Sequence, residues 1–333
     1  MNVFELTRAL VDIESITDNE EQMGHVLLAH LSELATRFGG SAELMPVESR
    51  RNNVFARWGE PTVTLSTHMD TVPPFYASRE DEQHIWGRGA CDTKGIIAAM
   101  IFAVRELLEA GERNIALLFV VGEERNSAGA LAAAKDPRGS KFIINGEPTD
   151  NKLAIGSKGA LRFEVVASGR MAHSAYPELG ESAIEKLLDA LHEIRQVRLP
   201  VDEILGASTL NIGTIAGGRA PNVIPDHAQA EIFIRLVDDG DSTRARIRQA
   251  VGDKAEVREV LATPAVHLGS LAGFETTIVS FTTDIPGFGG AWGKPYLIGP
   301  GSIHVAHTSE ERILKGEILE AIQIYKRMVK QLS

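Results

Sequence analysis

Hydrophobic residues recur every three or four positions in some stretches of the chain, which predicts helices, and in short apolar runs elsewhere, which predict strands. A helix over 3–13 is followed by a second one opened by Thr17, with Glu20 as its partner in a capping box. Residues 93–110 predict a long helix and 128–135 a short one. Strands are predicted over 42–45, 53–58, 62–67, 114–121 and 141–144. This alternation is typical of an α/β sheet with helices on both faces.

The pattern changes near residue 158, where a strand, a helix, two strands, a helix and a strand follow one another. They are predicted over 160–167, 181–197, 209–216, 228–236, 242–251 and 255–260, with Asp241 or Ser242 as the N-cap of the second helix. This order is the ferredoxin-like one. From about residue 271 the pattern is α/β again and ends in an amphipathic helix over 310–332. If His307 serves a site in the first part, the C-terminal part must complete that domain.

We therefore predict an α/β protein of two domains. A discontinuous catalytic domain with a mixed sheet comprises 1–158 and 269–333, and an inserted ferredoxin-like α+β domain comprises 159–268. The length of 333 residues and the hydrophobic content of 44% are sufficient for two cores.

Charge and cysteine content narrow the classes of function. The net charge of -11 argues against binding to nucleic acid or to an anionic membrane, because both need a basic face. Cys91 is the single cysteine, so we expect neither an internal disulfide nor a thiolate zinc site. The N-terminus lacks the pattern of a secretory signal and no apolar run is long enough to span a bilayer, so we expect a cytoplasmic protein.

Five residues of metal-binding type lie at the ends of predicted strands or in the loops just after them. They are His68, Asp92, Glu124, Glu147 and His307. Ligands at one edge of a sheet can converge in space although they are distant in sequence. Two imidazoles and three carboxylates form a mixed set of nitrogen and oxygen donors that suits zinc, cobalt or manganese.

The residues beside these five have a functional and a structural interpretation. Asp70 follows His68 at strand spacing and is placed to orient its imidazole, although an H-x-D pattern alone is weak. Glu123 and Glu124 fit either the solvated start of a helix or a division of roles, in which Glu124 binds metal and Glu123 is the general base. Asp92 is either a bridging ligand, an N-cap of the following helix, or both.

Three runs resemble the signatures of the zinc-dependent aminoacylase and carboxypeptidase family, which includes acetylornithine deacetylase and succinyl-diaminopimelate desuccinylase. They are Ser66–Pro74, Trp86–Gly95 and Val121–Glu124. The inserted domain resembles the lid, or dimerisation, domain of that family over 169–177, 217–225 and 233–235. The similarity spans nearly the whole chain in the family's order, which is far more specific than any one motif.

The resemblance implies a site for two divalent metal ions. Zinc is the preferred assignment, and cobalt and manganese are the alternatives. One ion would lie on His68 and Glu147 and the second on Glu124 and His307, with Asp92 between them. It further implies that Asp70 orients His68, that Glu123 moves the proton of the attacking water to the leaving amine, and that the peptide between Asp92 and Thr93 is cis.

The resemblance also implies a function and a partner. His173, Asn222 and Arg235 match lid residues that meet the substrate, and His173 is expected to come from the partner subunit of a homodimer joined through the lids. We predict removal of a small acyl group from an N-acyl amino acid, as in the amino-acid biosynthesis reaction of acetylornithine deacetylase. A dipeptidase or carboxypeptidase acting on short peptides is the alternative on the same scaffold, and a non-catalytic binding protein is the alternative from another class.

Overall fold

The computed structural model describes residues 1–333. The helices are α1 (Val3–Val11), α2 (Glu21–Phe38), α3 (Gly95–Glu109), α4 (Ala128–Lys135), α5 (Ala183–Gln196), α6 (Asp241–Val251), α7 (Ile285–Phe288) and α8 (Lys315–Leu332). The strands are β1 (Ser41–Glu48), β2 (Arg51–Trp58), β3 (Val63–His68), β4 (Arg79–Glu80), β5 (His84–Trp86), β6 (Ile115–Val120), β7 (Phe142–Asn145), β8 (Leu153–Ser157), β9 (Gly159–Ser168), β10 (Ala172–His173), β11 (Val201–Asp202), β12 (Gly206–Ala207), β13 (Thr209–Gly217), β14 (Val223–Ile224), β15 (His227–Leu236), β16 (Glu256–Thr263), β17 (Val266–His267), β18 (Thr276–Val279), β19 (Lys294–Leu297) and β20 (Arg312–Leu314). The predicted mixture of α and β elements is confirmed.

The chain forms two compact units. The first comprises Met1–Ile155, Leu268–Thr277 and Thr283–Ser333, and the second comprises Gly156–His267 and Ile278–Thr282. Residues 156–158 and 278–282, which were predicted to lie in the first domain, belong to the second unit, and Leu268, which was predicted to lie in the inserted domain, belongs to the first. Hydrogen bonds tie the two reassigned segments to each other, since Lys158 N donates to Val279 O and Ser157 Oγ donates to Phe281 O.

The first unit is built on a mixed sheet with the strand order β1-β2-β6-β3-β7-β19-β8. Strands β6, β3, β7 and β19 are parallel, whereas β1 and β2 on one side and β8 on the other are antiparallel to their neighbours. Helix α3 lies between β3 and β6 along the chain and α4 lies between β6 and β7, as connections between parallel strands require. Their carboxyl ends therefore lie along the same edge of the sheet.

Strand β6 shows why the central strands are continuously apolar. Its residues Ile115, Leu117 and Phe119 join a core that also contains residues of α1, α2, α3 and α8. The alternate residues Ala116, Leu118 and Val120 join a second core with residues of α4 and α7. Because side chains alternate between the two faces of a strand, a sheet covered on both faces needs apolar residues at every position.

The second unit has the ferredoxin-like order β9-α5-β13-β15-α6-β16, as predicted. Its four strands are antiparallel and lie in the order β13-β15-β9-β16. One face of this sheet and the helices α5 and α6 share a core. Strand β15 alternates buried and more exposed residues along its length, which agrees with a sheet that has one covered face.

Two predicted helix starts were wrong because tertiary contacts outcompete local signals. Helix α2 begins at Glu21, since Thr17 donates to Asp70 Oδ2 at 2.8 Å and Glu20 pairs with Arg51 at 2.7 Å instead of forming a capping box. The last helix begins at Lys315 because the preceding Arg312–Leu314 forms β20, paired with β5. The predicted cap of α6 was also wrong, because Gly240 occupies that position.

None of the helices combines the length and apolarity needed to cross a membrane.

Candidate active site

The parallel register of three strands brings distant acidic and imidazole residues to one edge of the first unit's sheet. His68 is the last residue of β3 and is aligned with Val120 at the end of β6, four positions before Glu124. Glu147 follows the end of β7 by two residues, and Gly146 N donates to Ser66 O at 2.8 Å. A Cβ on Gly146 would lie 2.4 Å from Ile96 of α3, so only glycine lets the chain pass here.

Asp92 enters the same place from a widened turn over 90–94 that precedes α3. The peptide between Asp92 and Thr93 is cis, as predicted. The backbone N–H groups at the start of α3 receive no cap from a side chain, so the interpretation of Asp92 as an N-cap was wrong. Thr93 instead donates its hydroxyl to the carbonyl of His68, which ties the turn to the end of β3.

Asp92 lies between two histidines. Its Oδ1 is 3.0 Å from His68 Nε2, and its Oδ2 is 3.2 Å from His307 Nε2. His307 Nε2 is also 3.0 Å from Glu124 Oε1, whereas Glu147 Oε2 is 4.0 Å from His68 Nε2. The five predicted residues therefore converge, and they divide into a half with His68 and Glu147 and a half with His307 and Glu124.

Asp70 is fully buried and connects His68 to the turn that carries Glu123 and Glu124. Its Oδ1 is 3.5 Å from His68 Nδ1, which also lies 3.0 Å from the Asp70 carbonyl. The backbone N–H groups of Glu123 and Glu124 donate to Asp70 Oδ1 and Oδ2 at 3.1 and 3.3 Å. One carboxylate thus fixes the ring of His68 and the turn that carries both glutamates.

The electrostatics of the site are those of a crowded acidic cluster. Burial and the charge of Glu147 raise the pKa of Glu123, while burial and the charge of Asp92 raise the pKa of Glu124. Hydrogen bonds to Asp92 and Glu124 raise the pKa of His307 to about 10. Burial opposes the charged form of His68, yet its bonds to Asp70 and Asp92 still raise its pKa. The cluster therefore attracts positive charge.

The donor set fits a divalent metal ion. Ligand atoms of His68, Asp92 and Glu124 all lie within 4.8 Å of one another. Glu147 is 3% exposed, and its Oε1 is buried without any hydrogen-bond partner. A buried carboxylate oxygen without a partner is costly, and a bound cation is the usual compensation.

A further buried carboxyl, Asp284, lies just before α7 in the first unit and was not predicted from the sequence. This residue is fully buried and neither of its carboxylate oxygens has a hydrogen-bond partner. Burial raises the pKa of Asp284 to about 7, because it outweighs the opposing effects of the His68 charge and the Ser127 side chain. An aspartate before Ile285-Pro286 resembles an ordinary helix cap, so no local signal identifies it.

The three predicted lid residues lie in the second unit. His173 is exposed in β10, where its Nδ1 accepts from Ala175 N at 3.1 Å, and Asn222 O accepts from Ser174 N at 3.0 Å. Arg235 is on β15 with its guanidinium 4.7 Å from the ring of Phe233. Burial lowers the pKa of Arg235. His173 and Asn222 are thus neighbours, and Arg235 stands on the adjoining sheet of the same unit.

The chain resembles known proteins along almost its whole length. Residues 64–331 match the profile of peptidase family M20/M25/M40. A peptidase M20 domain-containing protein of Schizosaccharomyces pombe is 38% identical over 98% of this chain and 84% of its own length. A probable carboxypeptidase of Aspergillus clavatus is 38% identical over 97% of this chain and 80% of its own length. A tripeptidase from Staphylococcus aureus shares the fold, with a TM-score of 0.82, 21% identity, and coverage of 99% of this chain and 98% of the other.

These relatives confirm the broader family resemblance predicted from the sequence. They favour an enzyme over the alternative of a non-catalytic binding protein. They do not single out the deacetylase branch of the family, since the names they carry are those of peptidases. The chain belongs to peptidase family M20/M25/M40 and is a metal-dependent hydrolase of amide bonds.

Proposed function

We propose that the protein removes a small acyl group from an N-acyl amino acid. The observation that carries the proposal is the convergence of His68, Asp92, Glu124 and His307 around one acidic cluster, with Glu123 adjoining Glu124 on the same turn. An N-acyl amino acid presents the amide to be cleaved and a free carboxylate by which it can be oriented.

We further propose that the site holds two divalent ions, with zinc the first choice and cobalt or manganese as alternatives. His68 and Glu147 would hold one ion, His307 and Glu124 the other, and Asp92 would bridge them. The support is that the two oxygens of Asp92 face two different imidazoles, at 3.0 and 3.2 Å. When bound, such ions polarise the scissile carbonyl and make the attacking water more acidic.

Glu123 is proposed as the general base. It takes a proton from the attacking water and delivers it to the amine that leaves, so the same carboxyl is base and then acid. In the metal-free protein, burial and the charge of Glu147 raise the pKa of Glu123, and a bound cation would oppose that shift. Asp70 supports this role by fixing the backbone of Glu123 and the ring of His68.

The lid residues are proposed to meet the substrate. Arg235 would bind the substrate carboxylate through its planar guanidinium, with Asn222 beside it, because two parallel hydrogen bonds match the two carboxylate oxygens. His173 would donate to the oxygen on which negative charge develops. We propose that this histidine is supplied by the partner subunit of a homodimer joined through the lids.

A second candidate is a dipeptidase or carboxypeptidase. The names of the relatives favour it, since several fungal proteins that are 36–38% identical are called probable carboxypeptidases. A dipeptide has the same amide and the same free carboxylate as an N-acyl amino acid, and adds an amino group. The chemistry at Glu123 is shared, so only the substrate decides between the two.

A hydrolysis panel tests the proposal. The protein is loaded with zinc, cobalt or manganese and assayed against N-acetyl and N-succinyl amino acids, dipeptides, tripeptides and C-terminally blocked versions of each, with Glu123→Gln as the inactive control. We expect the highest kcat/KM on an N-acyl amino acid and its loss when the carboxylate is blocked. A clear preference for peptides would replace the first candidate by the second.

A further inference from the structure

A buried ion pair lies behind the site, and none of the roles proposed above uses it. Arg88 and Glu311 are each 2% exposed, and Arg88 Nη1 lies 2.5 Å from Glu311 Oε2. The sequence analysis assigned no role to either residue. Burying two charges costs solvation free energy that the attraction between them recovers only when further hydrogen bonds satisfy both groups.

Those further hydrogen bonds lead to the two segments that carry Asp92 and His307. The second oxygen of the pair's carboxylate, Glu311 Oε1, accepts from the backbone N–H of Asp92 at 3.3 Å. On the other side of the pair, Arg88 Nη1 donates to the carbonyl of Thr308 at 3.4 Å, and its Nε donates to Pro74 O at 3.2 Å. The pair therefore links the turn that carries Asp92 to the turn that carries His307 and Thr308, although the two are more than 200 residues apart in sequence.

His307 needs such a connection more than the other residues of the cluster. Its backbone φ is 63°, in the left-handed region that residues other than glycine avoid. Its side chain is 49% exposed, whereas that of His68 is 1% exposed. Packing and the end of a strand fix His68, but neither fixes His307. A strained conformation persists only when its surroundings determine it.

We propose that Arg88 and Glu311 are positioning residues that set the distance between Asp92 and His307, and so preorganise the half of the site formed by His307 and Glu124. Neither residue touches the substrate. The inference rests on the proposed two-metal function and names the residues on which its second ion depends. Loss of the pair should therefore weaken one ion more than the other, which a general loss of stability would not do.

The test is a calorimetric titration of the metal-free protein with Zn²⁺. His307→Ala identifies the binding event that belongs to the His307 half. The variant under test is Arg88→Met with Glu311→Leu. Apolar residues of similar size remove the three backbone contacts of the pair without leaving an unpaired buried charge. We expect at least a tenfold weaker affinity for the event that His307→Ala removes, a clearly smaller loss for the other event, which shares Asp92, and a lower kcat with an unchanged KM.

Two further variants keep the test decisive. Arg88→Lys retains the charge opposite Glu311 but replaces the planar guanidinium by a single ammonium nitrogen, so it loses the contact of Nε with the Pro74 carbonyl and holds Glu311 and the Thr308 carbonyl less rigidly. It should weaken the same event by a smaller factor and serves if the double variant does not fold. Glu20→Gln breaks the comparable buried pair with Arg51, whose atoms are 2.7 Å apart, and should lower stability while leaving both zinc affinities within twofold.

The outcomes separate the two proposals. If His307→Ala removes no zinc-binding event, the proposed two-metal function fails. If it removes one event but the folded double variant binds both ions with the affinities of the parent protein, or weakens both equally, only the positioning role of Arg88 and Glu311 is overturned.

Discussion

Proton and metal compete for the same residues. Hydrogen bonds to Asp92 and Glu124 raise the pKa of His307 to about 10, and the pKa of His68 is also raised. In the metal-free protein both imidazoles therefore favour the doubly protonated, positively charged form, whereas a metal ion binds the neutral ring. Each ion must displace protons, so the apparent affinity should rise with pH. For the half with His307, this rise should continue until the pH approaches the His307 pKa of about 10.

This competition makes the first prediction. Zinc binding to the metal-free protein at pH 7 should release protons, and the apparent affinity should increase by up to about tenfold per pH unit for each proton released. Calorimetry in two buffers of different ionisation enthalpy counts those protons. An affinity that stays constant between pH 6 and pH 8 would show that the imidazoles are neutral before the metal arrives.

Glu123 and His307 are predicted to respond differently to substitution. Glu123→Gln keeps the shape of the side chain but cannot accept a proton, so kcat should fall at least ~10²-fold while the metal content stays the same. His307→Ala removes a proposed ligand and should lose metal. Metal analysis together with steady-state kinetics distinguishes these outcomes. A Glu123→Gln protein with nearly normal kcat would exclude Glu123 as the base.

Asp284 supplies a prediction on stability. Its pKa of about 7 in the folded protein is above the ordinary value of 3.8, so the folded state holds a proton that the unfolded state releases as the pH rises through this range. The native state is therefore penalised progressively between about pH 4 and pH 7. Asp284→Asn in the metal-free protein should raise the free energy of unfolding at pH 7.5 by up to ~4 kcal/mol, since the shift spans about three pKa units and each corresponds to ~1.4 kcal/mol.

Urea unfolding at several pH values checks this expectation. The advantage of Asp284→Asn should shrink as the pH falls towards 4, where both proteins are neutral at this position. An advantage of the same size at every pH would point to packing, and the absence of any advantage would mean that the carboxyl finds a partner in solution.

At the scale of elements, strand β19 is held in the sheet by a close backbone approach. Gly293, just before β19, has a φ of 91°, and a Cβ there would lie 2.2 Å from the carbonyl of Lys141. Gly290 has a φ of 78° and open space around it. The two glycines thus share a left-handed backbone and differ in what a methyl group would meet.

Alanine at these two positions separates the cost of the backbone conformation from the cost of the clash. Gly290→Ala should lose ~1 kcal/mol of stability, the cost of a left-handed alanine. Gly293→Ala should lose at least ~2 kcal/mol more, because Lys141 must move and β19 pairs in parallel with β7. The midpoints of urea unfolding measure the difference. Equal losses would mean that the start of β19 yields without strain.

Much of the fold could be predicted from the sequence because its signals are local. The apolar run of β6 and the alternation of β15 report how many faces of each strand are covered. The starts of α2 and α8 could not be predicted, since Thr17 and Glu20 bind residues 53 and 31 positions away and Arg312–Leu314 pairs with β5. Contacts between distant segments decide such boundaries.

The same distinction applies to the candidate site. The five clustered residues lie at or after the ends of predicted strands and in recognisable motifs, so their convergence could be predicted from the sequence. Asp284, Arg88 and Glu311 are distinguished by their burial, and burial is defined only once the chain has folded. When the role of a side chain depends on its tertiary surroundings, no local sequence motif identifies it.

At the scale of the whole molecule, the residues for which roles are proposed lie in two units. The clustered residues all belong to the first unit, whereas His173, Asn222 and Arg235 belong to the second. If the lid of one subunit serves the metal site of its partner, neither subunit is complete alone. Arg235→Lys then becomes informative, because it should raise KM for an N-acyl amino acid in every active site without altering zinc content.

Complementation between inactive variants tests whether the site is shared between subunits. His173→Ala and Glu123→Gln should each be inactive as a homodimer. In a mixed dimer, the His173→Ala subunit retains Glu123, and the partner subunit's His173 is intact, so one of the two sites is complete. Mixing the two proteins under conditions that allow subunit exchange should therefore restore activity. Two differently tagged subunits, purified together, confirm that exchange has occurred. If they exchange and the mixture stays inactive, His173 serves its own chain, and the proposed dependence on a partner is wrong.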